Sequence, residues 1–304
     1  MTTALPRIYS IGREIALDKH RFGFLRSSRN ILGNTMALRD QLEVDGYLYI
    51  PGFFDRELIF SARESLTKRL AERGLLDENR PSIEAPWDPA KRARFSPEIL
   101  ERNATVERVV FGPEIMGFYE ALFGEPVRHF DFVWTRAIPP GEGTKPHCDI
   151  VFMGRGTSDL LTCWIPYGDV PLDLGGLMLL EGSGKKAALL DRYLRQDVDV
   201  YCENRPHEAK IAHEGGTVHD GVLSTNPVNL RGKLGGRWLT ADWRAGDFAT
   251  FKMNMVHCSL DNQTDHIRLS TDTRYQRLRE PADERWVGPD PVGHSRAGKR
   301  GRIC

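Results

Sequence analysis

The chain has 304 residues, with 42 Lys and Arg balanced by 42 Asp and Glu, 40% hydrophobic residues and 28% charged ones. This is ordinary globular composition, long enough for a sizeable core, and its zero net charge argues against a nucleic-acid binder, which carries a basic excess or stripe. Five cysteines with no Cys-x-x-Cys pair are too sparse for a disulfide scaffold or a structural zinc knot, and no apolar run approaches a membrane span. Arg7, Arg13 and Glu14 stand where a secretory leader needs an apolar stretch. The expected setting is therefore reducing and cytoplasmic, without membrane or nucleic-acid partners.

In chain order, residues 1–35 lack periodicity and are expected as an N-terminal extension draped over the surface. Helical signals at 36–42 lead into Asp45-Gly46-Tyr47-Leu48-Tyr49-Ile50-Pro51-Gly52, an alternating stretch closed by a turn, which predicts a short strand. Asp55 is placed to cap a helix over 56–73, where Leu58, Ala62, Leu66 and Leu70 recur at helical spacing. Residues 75–98 are polar and Pro-rich, hence loop. A second amphipathic helix runs from Pro113 to Leu122 and stops at Gly124. Beyond it the period changes to two. Phe130, Phe132, Trp134 and Arg136 alternate through a strand over 127–138, and further strands are expected at 148–153, 160–166, 177–181, 248–257 and 267–276. Helices followed by many short strands predict one domain over 1–304, mainly β with flanking helices outside a two-sheet core. The polar, Gly-containing stretch 185–244 is surplus to such a core. It is expected as an insert, and as a lid, because long loops of this kind are usually lids, binding loops or disordered segments. Residues 290–304 read as a solvated basic tail.

The residues with chemical potential begin with His147-Cys148-Asp149. In a strand, residues two apart share a face, so His147 and Asp149 are placed to bind one ion. His129-Phe130-Asp131 has the same form, and the spacing alone does not choose between them. Context does. Ala245-Gly246-Asp247 opens an apolar strand that ends at His257, and Arg268-Leu269-Ser270 follows, with Arg268 and Ser270 on one face. Two His and one carboxylate make a facial triad that leaves positions open on a non-haem iron. A 2-oxo acid bound there needs its far carboxylate anchored, which Arg does with a fixed, bidentate charge. Cys148 and Cys258 adjoin proposed ligands but point to the opposite face, into the core. His207, His213 and His219 lie in a polar stretch and match no H-E-x-x-H pattern. Gly182-Ser183-Gly184-Lys185 lacks the spacing of a phosphate loop. Trp134 and Arg136 share a strand face and either pack or line the site.

On these residues the chain resembles the phytanoyl-CoA dioxygenase family of Fe(II)/2-oxoglutarate-dependent oxygenases. The likeness runs over about 42–277, from the Asp45-Gly46-Tyr47 strand through His147-Cys148-Asp149, Thr162-Cys163-Trp164-Ile165-Pro166 and Gly175-Gly176-Leu177 to His257, Arg268 and Ser270. The resemblance implies a double-stranded β-helix (jelly-roll) core and His147, Asp149 and His257 as iron ligands. It also implies Arg268, with Ser270, as the 2-oxoglutarate anchor, and Trp164 and Thr162 beside the cosubstrate. Fe(II), 2-oxoglutarate and O2 would then hydroxylate or otherwise oxidise an unactivated C–H bond of a small organic molecule, releasing succinate and CO2, in a monomer or homodimer. Cys148 stands where the family often has Gln, and Gly184 ends a turn where it often has His. Two other readings share parts of the pattern. A cupin-like non-redox metal enzyme needs the triad but not Arg268 and Ser270, and a non-catalytic jelly-roll binding protein needs neither.

Overall fold

Short apolar runs with period two can be buried on one face only if a second layer covers them, and the chain supplies that layer twice. In the computed structural model, residues 7–90 and 102–304 are described; residues 1–6 of the expected extension and the end of the expected 75–98 loop lie outside them. In chain order the elements are β1 (Ile8–Ser10), β2 (Arg13–Ile15), β3 (Phe22–Phe24), α1 (Thr35–Asp45), β4 (Tyr47–Ile50), α2 (Arg56–Glu72), α3 (Ala104–Val110), α4 (Pro113–Phe123), β5 (Val127–His129), β6 (Trp134–Ile138) and α5 (Ile150–Met153). They continue with β7 (Leu161–Pro166), β8 (Leu177–Leu180), α6 (Ala187–Leu194), β9 (Val200–Cys202), α7 (Pro206–His213), α8 (Pro227–Leu234), β10 (Trp238–Thr240), β11 (Phe248–Lys252), β12 (His257–Ser259), β13 (Arg268–Arg277) and β14 (Arg300–Arg302).

The larger sheet runs β4-β11-β7-β13, with β5 and β6 both paired to β13; the smaller runs β12-β8-β10-β3. The two face each other through Tyr47, Trp164, Ala249 and Phe251 on one side and Leu177, Leu179 and Leu239 on the other. This is the expected jelly roll, as two facing sheets rather than a closed barrel. Alternate residues of the larger sheet (Leu48, Ile50, Leu161, Cys163, Ile165 and Leu269) point outward and are covered by Ile59, Leu66 and Leu70 of α2 and Ile115 and Phe118 of α4. Asp55 caps α2 as expected, accepting from the backbone N–H of Glu57 and Leu58. Gly46 ends α1 at φ 80°, and a Cβ there would lie 2.5 Å from Met255 Sδ, so the Asp-Gly-Tyr turn needs glycine.

Several expectations are corrected. Residues 8–25 do not drape: β1 and β2 form a hairpin, β3 joins the smaller sheet parallel to β10, and Ile8, Ile15 and Phe22 are buried against that sheet's outer face. Strands of three residues are too short to show a period. The strand expected at 148–153 is instead the helical turn α5, since a short apolar run does not distinguish helix from strand. The strand expected over 127–138 breaks at 130–133, where Phe130 and Phe132 pack in the cluster around Trp286. The strand expected over 248–257 is two, β11 and β12, in different sheets. The surplus stretch contributes β10 to the smaller sheet, with Trp238 buried, and its earlier helices pack on the same sheet through Leu190, Tyr193, Leu230 and Leu234.

The tail is the largest correction. β14 pairs in parallel with β9, and Cys304 forms a disulfide with Cys202. Buried Asp199 draws the tail's basic residues in, accepting from His294 Nδ1 (2.8 Å), Lys299 Nζ (2.7 Å) and Arg285. These partners hold the Asp199 carboxyl at about 2 against the upward push of burial. Cys148, Cys163 and Cys258 remain free and buried. The pairing departs from the expectation of reduced thiols, because disulfides are rare in reducing compartments.

Thiol titration of the unfolded protein, purified without reductant, should therefore count three free thiols, the buried ones, out of five cysteines. Reduction should lower the unfolding free energy by about 2–4 kcal/mol, the usual effect of a bridge closing a long loop. Five free thiols with unchanged stability would contradict the pairing.

Candidate active site

The site is built where ends of both sheets meet. His147 precedes α5, and His257 opens β12. Their backbones exchange two hydrogen bonds, His147 N–H to His257 O (3.0 Å) and His257 N–H to His147 O (2.9 Å). An antiparallel pair of this kind sets its two side chains side by side, and the imidazole centroids lie 4.1 Å apart. Each Nδ1 faces a carbonyl oxygen, Lys145 O at 2.7 Å and Met255 O at 3.0 Å. A carbonyl only accepts, so both Nδ1 carry the proton and both Nε2 present lone pairs. Those atoms lie 3.7 Å (His147) and 3.6 Å (His257) from Asp149 Oδ1. Burial and the neighbouring His257 depress the His147 pKa to about 3, so its ring is neutral. Among the described residues, His147, Asp149 and His257 form the one cluster of three ligand atoms close enough to share a metal ion, all within 4.8 Å of one another.

Asp149 sits in helical conformation at the start of α5, yet its side chain caps nothing there. Its Oδ2 is instead taken by Thr162 Oγ1 and, at 3.0 Å, by Arg274 Nη2. Thr162 and Arg274 are direct partners in the β7–β13 register. Burial alone would raise the Asp149 carboxyl; Arg274, the two histidines and Thr162 reverse that and hold it well below the usual carboxylate range. With Oδ2 so committed, Oδ1 is left facing the two imidazoles.

Further along the inner face of β13 lie Ser270 and Arg268. Arg268 is 1% exposed, donates from Nη1 to Ser270 Oγ (2.9 Å), and stands over the Trp164 ring at 5.7 Å. Its Nε is buried with no partner, no carboxylate forms an ion pair with it among the described residues, and burial lowers its pKa to about 10. Asp272, one step along the face, is engaged by Arg136 instead. A buried guanidinium without its anion fits a small-molecule carboxylate.

His147, Asp149 and His257 thus come together, with the Thr162 hydroxyl on Asp149, and Arg268, Ser270 and Trp164 form a second group on the larger sheet. His129 and Asp131 do not join them. His129 stacks on Phe111 (3.8 Å between centroids), and both line a separate cavity of about 790 Å³ beside α3. Cys148 and Cys258 point into the core behind the smaller sheet, as expected. Trp134 and Arg136 line a cavity of about 310 Å³ that opens onto His147 and Asp149; Thr144, Lys145, Phe152, Met153, Val222, Arg274 and His294 complete its wall. Sequence reasoning missed Arg274 and His294. Arg268, Ser270, Asp272, Arg274 and Gln276 are polar at every second position of β13, but Thr271 and Thr273 between them are polar too, so polarity alone does not single out Arg274. His294 carried no local signal, since the fold-back of the tail brings it there.

A model of the phytanoyl-CoA dioxygenase (PhyH) family matches residues 42–270, well over half of the chain. The chain is similar to 1-deoxypentalenic acid 11-beta-hydroxylase of Streptomyces exfoliatus, 27% identical over 264 residues, covering 81% of this chain and 82% of that protein. Among solved structures it resembles the non-heme alpha ketoglutarate dependent carbocyclase SnoK from nogalamycin biosynthesis (17% identity, 85% and 90% of the two chains, TM-score 0.58). It also resembles EctD from S. alaskensis with 2-oxoglutarate and 5-hydroxyectoine (15% identity, 95% and 96%, TM-score 0.58). These two likenesses are likenesses of fold.

Arg274 and Asp149 are 2% and 3% exposed. Removing one partner of such a pair leaves a charge buried and alone, so Arg274→Met should destabilise the metal-free protein by about 3–5 kcal/mol. The double variant Arg274→Met/Asp149→Asn should lose clearly less, which denaturant unfolding of the two would show. Equal losses would mean the pair is not coupled.

Proposed function

Because the chain belongs to the phytanoyl-CoA dioxygenase family, and so is an iron- and 2-oxoglutarate-dependent oxygenase acting on a small molecule, we propose that His147, Asp149 and His257 hold its iron and that Arg268 anchors the 2-oxoglutarate. The observation that carries this reading is the buried guanidinium of Arg268 with an unpartnered Nε, on the inner face of β13, which also carries Arg274, the partner of Asp149. A non-redox metal enzyme with the same three ligands gives that desolvated charge no purpose. When bound, iron would let O2 act as the oxidant, two electrons coming from 2-oxoglutarate as it becomes succinate and CO2 and two from the substrate C–H bond that is hydroxylated or otherwise oxidised.

The chain's own part is geometric and electrostatic. His147 and His257 offer Nε2 because the Lys145 and Met255 carbonyls fix their tautomers. Arg274 and Thr162 turn Asp149 so that Oδ1 is the free oxygen. Ser270 orients Arg268 toward the far carboxylate of the cosubstrate, and Trp164 forms its apolar flank. Part of the 185–244 stretch, with Val222 on the cavity wall, acts as the lid that excludes water from the oxidation. We propose a monomer or homodimer in the cytoplasm, where the Cys202–Cys304 bridge would be an exception to the rule of reduced thiols. No helix among the described residues is long and apolar enough to cross a membrane.

Alanine at His147, Asp149 or His257 should abolish conversion of 2-oxoglutarate to succinate, while far-ultraviolet circular dichroism stays native. Arg268→Leu should weaken 2-oxoglutarate binding on the order of a hundredfold or more, from the roughly 3–5 kcal/mol lost with a desolvated charge pair; unchanged affinity would refute the anchor. Hydrogen exchange tests the lid. Substrate with 2-oxoglutarate should slow exchange within 185–244 more than in α2, and equal slowing in both, with binding verified, would remove the lid.

A further inference from the structure

The cavity beside the triad has a charge pattern that the oxygenase reading does not use. Arg268, Ser270 and Trp164 do not line it, whereas His147 and Asp149 do, so it is separate from the seat proposed for 2-oxoglutarate and borders two of the proposed metal ligands. At about 310 Å³ it lies at the small end of ligand pockets. Its wall is apolar at Trp134, Phe152, Met153 and Val222. Its one carboxylate, Asp149, is already engaged by Arg274 and Thr162, and Arg136 is engaged by Asp272. Lys145, at the exposed rim, forms no ion pair among the described residues. Against the apolar wall stands His294, 6.0 Å from Phe152 between ring centroids, with its Nδ1 donating to Asp199. That residue is held by a segment fixed at several points. Trp286 packs on Trp134 at 4.7 Å, Lys299 and Arg285 bind Asp199, and Cys304 is bridged to Cys202.

Resting on the oxygenase reading, we propose that the substrate is a compact, largely apolar molecule carrying one carboxylate. Lys145 neutralises that group, and His294, on the folded-back C-terminal segment, packs with Phe152 beside the apolar body. One uncommitted cation at the rim of an apolar cavity favours one negative charge. A neutral molecule leaves Lys145 unmatched, and a polyanion brings charge that nothing in the wall balances.

The probes are matched pairs of carboxylic acid and primary amide built on cyclohexane, decalin and adamantane. Binding is measured by calorimetry on the full chain loaded anaerobically with Fe(II) and 2-oxoglutarate. A charge-assisted contact predicts that, in at least one pair, the acid binds about tenfold or more tightly than its amide. Lys145→Met should bring the ratio of that pair to about two or less. Acids and amides binding alike across the series, or a preference unchanged in Lys145→Met, overturns the proposal. Succinate release by the wild-type chain in air without probe keeps the two readings apart. If it occurs without any acid preference, the oxygenase reading stands and the substrate class falls; if acids are preferred but 2-oxoglutarate neither binds nor turns over, the oxygenase reading falls.

Discussion

The site depends on the backbone exchange between His147 and His257. These residues belong to stretches far apart in the chain, one entering α5 and the other opening β12 of the smaller sheet. Two reciprocal N–H to O=C bonds fix their register, and because the side chains of such a pair project to the same side, the two imidazoles face the space between the sheets together. A shift of one residue would turn His257 outward and bring Cys258 in. Cys148 and Cys258, packed behind the smaller sheet, show the register in use.

A second constraint is the distribution of buried charge along β13. Arg268, Asp272 and Arg274 line one face, all nearly inaccessible to water. Desolvating a charge costs several kcal/mol unless a partner compensates it. Arg274 has Asp149 and Asp272 has Arg136; Arg268 has only the hydroxyl of Ser270 and the face of Trp164. The fold tolerates two internally paired charges and leaves the third for a carboxylate from outside. The same strip reaches the proposed metal ligands through Arg274, the partner of Asp149.

Much of this was legible in the sequence because it is carried by local pattern. Asp55 followed by Leu58, Ala62, Leu66 and Leu70 specified α2 nearly to its ends, and the Gly246-Asp247 turn announced the strand leading toward His257. Arg274 ends a continuously polar run, Ser270-Thr271-Asp272-Thr273-Arg274, in which polarity alone does not show which residues face inward. What could not be read locally depends on tertiary partners. β3 and β14 are three residues each and exist because β10 and β9 offer open edges. Lys299 and His294 look like a solvated basic tail until Asp199 is brought beneath them. His129-Phe130-Asp131 repeats the ligand motif in sequence and lies against Phe111 in space, so a two-residue spacing becomes a site only when a third ligand is folded onto it.

The most direct measurement is anomalous diffraction from crystals grown anaerobically with Fe(II) and 2-oxoglutarate. The account predicts one iron peak at bonding distance, roughly 2.0–2.2 Å, from Nε2 of His147, Nε2 of His257 and Oδ1 of Asp149, with the far carboxylate of 2-oxoglutarate on Arg268. An iron peak beside His129 and Asp131, or 2-oxoglutarate bound away from Arg268, would contradict it.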